Sequence, residues 1–165
     1  MPTARRHESL IPLSREHHYG LLVCLRIHRG MEKHNTDLNW LSKRAETAVR
    51  FFETDLKSHF AVEEQIVFPA MADIGEAVRV VGELIEEHGR IIRLVQMLRS
   101  VEGIELASLL REFADLLEAH IRKEERVLFP CYERNITSTS ALQVKAQVLE
   151  RIGSATKPRH PELLE

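Results

Sequence analysis

The 165-residue sequence predicts an all-α protein, an up-down-up-down four-helix bundle. Three observations carry this. Two long proline-free stretches, 13–68 and 70–129, are punctuated by prolines at 12, 69 and 130 and by glycines at 30, 75 and 103. Within them apolar residues recur every three or four positions, the helical period, and few short alternating runs of the β type appear. The connections are short, which forces neighbouring helices antiparallel.

The first helix is expected from about Pro12 or Ser14 to Lys33, with Leu21, Leu22 and Leu25 on its apolar side. The second runs from the N-cap Asp37 to Phe68 on a seam of Leu38, Leu41, Ala45, Ala48, Phe52 and Leu56. The third, Gly75 to Val101, carries Val81, Leu84, Ile85, Ile91, Ile92, Val95 and Leu98. The fourth, Ile104 to Glu133, carries Leu106, Leu109, Leu110, Phe113, Leu116 and Leu117. Residues 1–137 thus form one bundle domain. Residues 138–165 form an extension, with a short helix at Ser140–Ile152 and a loose tail from Lys157 to Glu165.

Composition excludes several classes. Lys+Arg is 23 against Asp+Glu 25, and no basic stripe is interleaved with aromatics, so no nucleic-acid surface is expected. No apolar run reaches the roughly 18 residues that span a bilayer. Met1 to Glu8 lacks the apolar core of a signal peptide. Cys24 and Cys131 match no redox or zinc spacing and suit reduced, buried residues in the cytoplasm.

Histidine is the anomaly: nine are present, as many as Phe, Trp and Tyr together. Four fall where the apolar seams reserve a core position. The second seam continues 52, 56, 59, 63 through His59 and Glu63. The fourth continues 113, 117, 120, 124 through His120 and Glu124. The third passes through His88, and the first begins at His18. His17 competes with His18. The reading favours His18, whose following positions at plus three, four and seven are apolar, like those after His88. At a rise of about 1.5 Å per residue the four histidines lie within two turns of one level. His28 falls about 15 Å further along and is set aside, as are His7, His34 and His160.

A repeat sharpens the pattern. Residues 59–69 and 120–130 share H-x-x-x-E-E-x-x-x-F-P with every gap identical, so the bundle reads as two helical hairpins about an approximate two-fold axis. His and Glu at i and i+4 face one side of a helix. Buried imidazoles and carboxylates are costly unless paired or bound to metal, and mixed nitrogen and oxygen donors suit iron, manganese or zinc. Two carboxylates can bridge two ions, with two histidines completing each. Glu64 and Glu125 read as solvated neighbours, Tyr19 as a packing or rim residue, and the Phe-Pro pairs as helix ends or kinks with an aromatic plug. Gly20 and Gly89 read either as tolerated helix glycines or as room for a ligand or for close helix approach.

Over about residues 10–135 the order His, His-x-x-x-Glu, His, His-x-x-x-Glu closely resembles the hemerythrin-like, HHE cation-binding family. The resemblance implies a non-haem di-iron centre held by His18, His59, Glu63, His88, His120 and Glu124, with bridging carboxylates and with zinc or manganese as substitutes. It implies dioxygen, another small diatomic or peroxide as ligand. The chain departs from the oxygen-carrying hemerythrins in two ways. Leu84 and Ile92 flank His88 where those proteins place a second histidine, and Glu124 stands where they use aspartate. One nitrogen donor is therefore missing; water, a bridging hydroxide or a carboxylate such as Glu64 or Glu125 must replace it. Oxygen binding, or sensing of redox state or iron, is the leading expectation. The alternatives are a di-iron oxidoreductase acting on peroxide, oxygen or nitric oxide, and a metal-stabilised regulatory module with an unknown protein partner. The chain is expected to be a monomer or homodimer, not an enzyme, and free of nucleic acid and membrane.

Overall fold

A computed structural model describes residues 5–152. Five helices follow in order: α1 (Ile11–His34), α2 (38–70), α3 (Gly75–Ser100), α4 (105–135) and α5 (Ser138–Ile152). The first four form the bundle, and no strand occurs among the described residues. Pro12 sits in the first turn of α1, where no N–H is needed. The Asp37 carboxylate accepts the Trp40 N–H at 3.0 Å and starts α2. Gly103, at φ 79°, makes the turn into α4.

Neither Phe-Pro pair ends its helix at once. α2 continues to Ala70 and α4 to Asn135. Each instead follows a single wide π turn, Glu63–Val67 or Glu124–Leu128, closed by the Phe68 N–H on the Glu63 carbonyl and the Phe129 N–H on the Glu124 carbonyl. The proline after each has no N–H, and its ring crowds the carbonyl four residues back; a widened turn relieves both. π turns of this kind are rare and gather at functional sites. A third, Phe52–Leu56, has no proline to explain it.

The core is two apolar clusters with a polar layer between them. One gathers Val23, Ile27, Leu41, Phe51, Ile91, Leu110, Phe113 and Leu117. The other gathers Leu13, Ile66, Phe68, Leu84, Leu128, Phe129, Tyr132 and Val144. On every bundle helix a buried histidine lies near the point where the row passes from one cluster to the other. α5 lays Ala141, Val144 and Val148 against the bundle. The expected loose tail, Lys157 to Glu165, lies outside the described residues, as does His160. No described helix is long and apolar enough to cross a membrane.

Two seams differ from expectation, and on α2 the first seam residue, Leu38, is exposed. On α1 the buried row is Leu13, His17, Gly20, Val23, Cys24, Ile27 and Met31, while Leu25 is exposed. The helix is rotated by one residue, about 100°, from the face that Leu21, Leu22 and Leu25 suggest. On α3, likewise, Ile85 and Ile92 are exposed and the seam runs through Ala77, Leu84, His88, Ile91 and Val95.

Candidate metal centre

The structure brings His59, Glu63, His88, His120 and Glu124 together in the buried layer, each at most 4% exposed. His18 is not among them: it lies on the exposed side of α1. His17, 3% exposed, takes its place. The reason is the packing of α1 on α4. A Cβ on Gly20 would come within 2.8 Å of Ile121 Cδ1, so the two helices meet along the row of small residues, Gly20 and Cys24, and that row carries His17.

The imidazole Nε2 atoms face inward in two pairs. His17 Nε2 and His59 Nε2 are 2.9 Å apart, and His88 Nε2 and His120 Nε2 are 3.2 Å apart. The two glutamates lie between the pairs. Glu63 turns Oε1 to His59 (2.8 Å) and His17 (3.5 Å), and Oε2 to His88 (3.2 Å). Glu124 turns Oε2 to His17 (3.0 Å) and Oε1 to His120 (3.4 Å). Each pair of nitrogens, with one oxygen from each glutamate, forms a group whose donor atoms all lie within 4.8 Å of one another. Both groups contain Glu63 and Glu124.

This donor set fits a pair of cations. All four carboxylate oxygens are buried with no well-formed hydrogen bond and only imidazole nitrogens beside them, a condition costly for a carboxylate unless positive charge is supplied. In the metal-free chain that charge comes from the imidazoles. Burial alone would push Glu63 up; His59, His17 and His88 outweigh it and hold its carboxyl well below the usual range. Burial likewise opposes protonation of His59, yet Glu63 and Glu16 raise it to about 9. His17 is raised well above its ordinary value despite burial, by Glu124, Glu125 and Glu63.

Four further glutamates hold the histidines from outside. His17 Nδ1 meets Glu125 at 2.7 Å, His59 Nδ1 meets Glu16 at 2.7 Å, His88 Nδ1 meets Glu64 at 2.7 Å, and His120 Nδ1 meets Glu87 at 2.9 Å. A carboxylate on Nδ1–H fixes the ring and leaves the Nε2 lone pair for a metal. Glu64 and Glu125, read from the sequence as solvated neighbours or spare ligands, thus orient His88 and His17 on neighbouring helices. Phe129 stacks on His17 (5.4 Å, 16°) and Phe68 on His88 (5.9 Å, 18°), which gives the motif's phenylalanine its task.

The sequence held a signal for His17 that the apolar count obscured. Glu16-His17 and Glu87-His88 are the same dipeptide at equivalent places in the two hairpins. In each, the glutamate serves the histidine of the next helix and the histidine faces inward. Hydrophobic periodicity scores Gly20 and Cys24 as poor core residues. Matching the dipeptide does not depend on them.

The family model described as Hemerythrin HHE cation binding domain matches residues 12–132. A DNA nickase of Nostoc sp. (strain PCC 7120) is 27% identical over 109 residues, 60% of this chain and 30% of that protein. The chain therefore spans less than a third of that relative's length. No solved structure matches.

Proposed function

This chain belongs to the hemerythrin HHE cation-binding domain family, and on that premise we propose that it is a non-haem di-iron protein that binds oxygen or responds to redox state or iron supply. His17 and His59 would hold one ion, His88 and His120 the other, and Glu63 and Glu124 both. The observation that carries the reading is the four buried carboxylate oxygens shared between two inward-facing nitrogen pairs. A bound pair of irons would supply a reversible change of oxidation state and room for dioxygen or another small diatomic. The chain's own part is to hold the donors, fix the imidazole tautomers through the outer glutamates and keep bulk water from the layer with the two apolar clusters. Zinc or manganese would fit the same atoms.

The test is anaerobic Fe(II) loading of protein prepared without affinity-column metals, followed by metal analysis and admission of air. Two irons per chain and a visible band that reverses when oxygen is removed support the reading. Failure to bind two ions ends it.

A second reading, an oxidoreductase acting on peroxide, oxygen or nitric oxide, is favoured by the donor count. Each group offers four protein atoms, fewer than the six an octahedral ion accepts. It requires turnover by the iron form, and full turnover in Glu63→Ala or Glu124→Ala variants would dismiss it. The near balance of 23 basic and 25 acidic residues supports the absence of a nucleic-acid role; DNA retention by the purified chain would contradict it. Cys24 and Cys131 are free and buried, which supports a reducing cytoplasm.

A further inference from the structure

The inner donors are nearly symmetric; their outer supports are not. On the His17 side, Glu125 also accepts from Ser14 Oγ at 2.7 Å and from Arg6 Nη2 at 2.7 Å. Arg6 is itself tied to Glu133 at 3.0 Å and lies 5.1 Å over the Phe129 ring that stacks on His17. On the other side Lys123 anchors Glu87, the partner of His120. Glu64, the partner of His88, is different. Its side chain is 43% exposed, against 25% for Glu125 and 13% for Glu87, and among the described residues His88 is its one polar partner.

The helix that carries His88 also holds two glycines that its packing does not call for. Gly82 and Gly89 lie inside α3 on either side of His88. A Cβ at Gly82 would meet nothing within 4 Å, and one at Gly89 only Arg93 Nη1 at 3.6 Å. Neither glycine is required by packing, unlike Gly20 on α1. Each lowers the local helix equilibrium about fivefold relative to alanine. Phe60 and Phe68 stack on the His88 ring at 3.8 and 5.9 Å, which leaves its Nδ1 edge, at Glu64, as the open side.

We infer that the two ion positions are unequal in exchange, with the His88–Glu64 corner as the port: the His88/His120 position releases and takes up its ion readily, and the His17/His59 position retains its ion. This rests on the two-ion reading above. Opening needs one exposed carboxylate to swing out and one glycine-flanked turn of α3 to loosen. Opening the opposite corner must break the bonds of Glu125 to Ser14 and to Arg6, which Glu133 holds in place.

The test uses the full chain loaded with two Zn(II) ions and challenged with an excess of a chromogenic chelator. Wild type is expected to release zinc in two phases, one ion each, at least about tenfold apart in rate, the scale of outer-carboxylate effects. Glu64→Gln should speed the fast phase alone. Glu125→Gln should speed the slow phase. Gly82→Ala with Gly89→Ala, which strengthens α3 and meets nothing closer than Arg93 Nη1 at 3.6 Å, should slow the fast phase severalfold. Release of both ions in one phase overturns the inference, as does a Glu64→Gln effect confined to the slow phase or a fast phase indifferent to the glycine replacements. A chain that takes up fewer than two ions fails the two-ion reading itself, a separate result.

Discussion

Glu63 and Leu110 are both wholly buried, at 0% exposure, yet the layers around them are held by opposite physics. The cluster of Leu41, Phe51, Leu110 and Phe113 is dry and gains from leaving water. The layer of His17, His59, Glu63, His88, His120 and Glu124 is charged and loses by leaving water, unless a cation or proton repays it. The same helical seams pass through both. Burial at a seam position therefore does not by itself mark apolar core; here it marks where the chain invests stability for chemistry.

The largest effect that separates the layers is expected from Glu63→Ala or Glu124→Ala. Each removes an oxygen from both donor groups at once, so both ions should be lost. The loss in affinity should exceed the roughly 10–100-fold cost of losing an outer carboxylate. Metal analysis after dialysis at limiting metal reads this directly. A variant that keeps two ions would show that the glutamates do not bridge.

Leu110→Ala tests the dry layer. It should cost about 2–5 kcal/mol of folding stability, by lost burial and a cavity, and leave the metal content at two. The sharper readout is the rise in Tm on adding metal, which comes from binding to the folded state alone. That rise should be the same in wild type and Leu110→Ala and absent in Glu63→Ala. If Leu110→Ala also abolished it, the two layers would not be independent.

His17→Ala and His18→Ala form the next pair, and they also mark how far the sequence could be read. Removing His17 should weaken one ion while removal of exposed His18 leaves both. The helices were legible because prolines, glycines and three-four spacing are local signals, and Asp37 and Gly75 marked the starts of α2 and α3. The phase of α1 was not legible from its own residues. Leu21, Leu22 and Leu25 are more apolar than the true inner row, where Gly20 and Cys24 are small because α4 comes close. That demand lives on the partner helix. The orienting roles of Glu16, Glu64, Glu87 and Glu125 were hidden for a related reason: each serves a histidine on another helix.

The smallest expected effect is in pH, and it should move metal-free stability and metal affinity in opposite senses. In the metal-free chain His59 is raised from 6.5 to about 9, against burial, by its carboxylate neighbours, and His17 and His88 are raised too. A folded pKa above the unfolded one contributes stability that is complete below 6.5 and disappears as pH rises through about 9. The metal-free Tm should therefore fall across that interval. Metal needs the same nitrogens unprotonated, so its apparent affinity should rise across it, with protons released on binding. At the acid end, burial would raise Glu125 and Glu87, but His17 and Ser14 for the first, and His120 and Lys123 for the second, hold both near about 2. Their contribution is present above the ordinary 4.5 and goes as pH falls toward 2. Thermal melts with and without metal from pH 6.5 to 9 are the measurement. Parallel curves would mean that the imidazoles do not exchange protons for metal. Convergence toward low pH and divergence toward high pH would tie the charge of the layer to the nitrogens proposed to hold the ions.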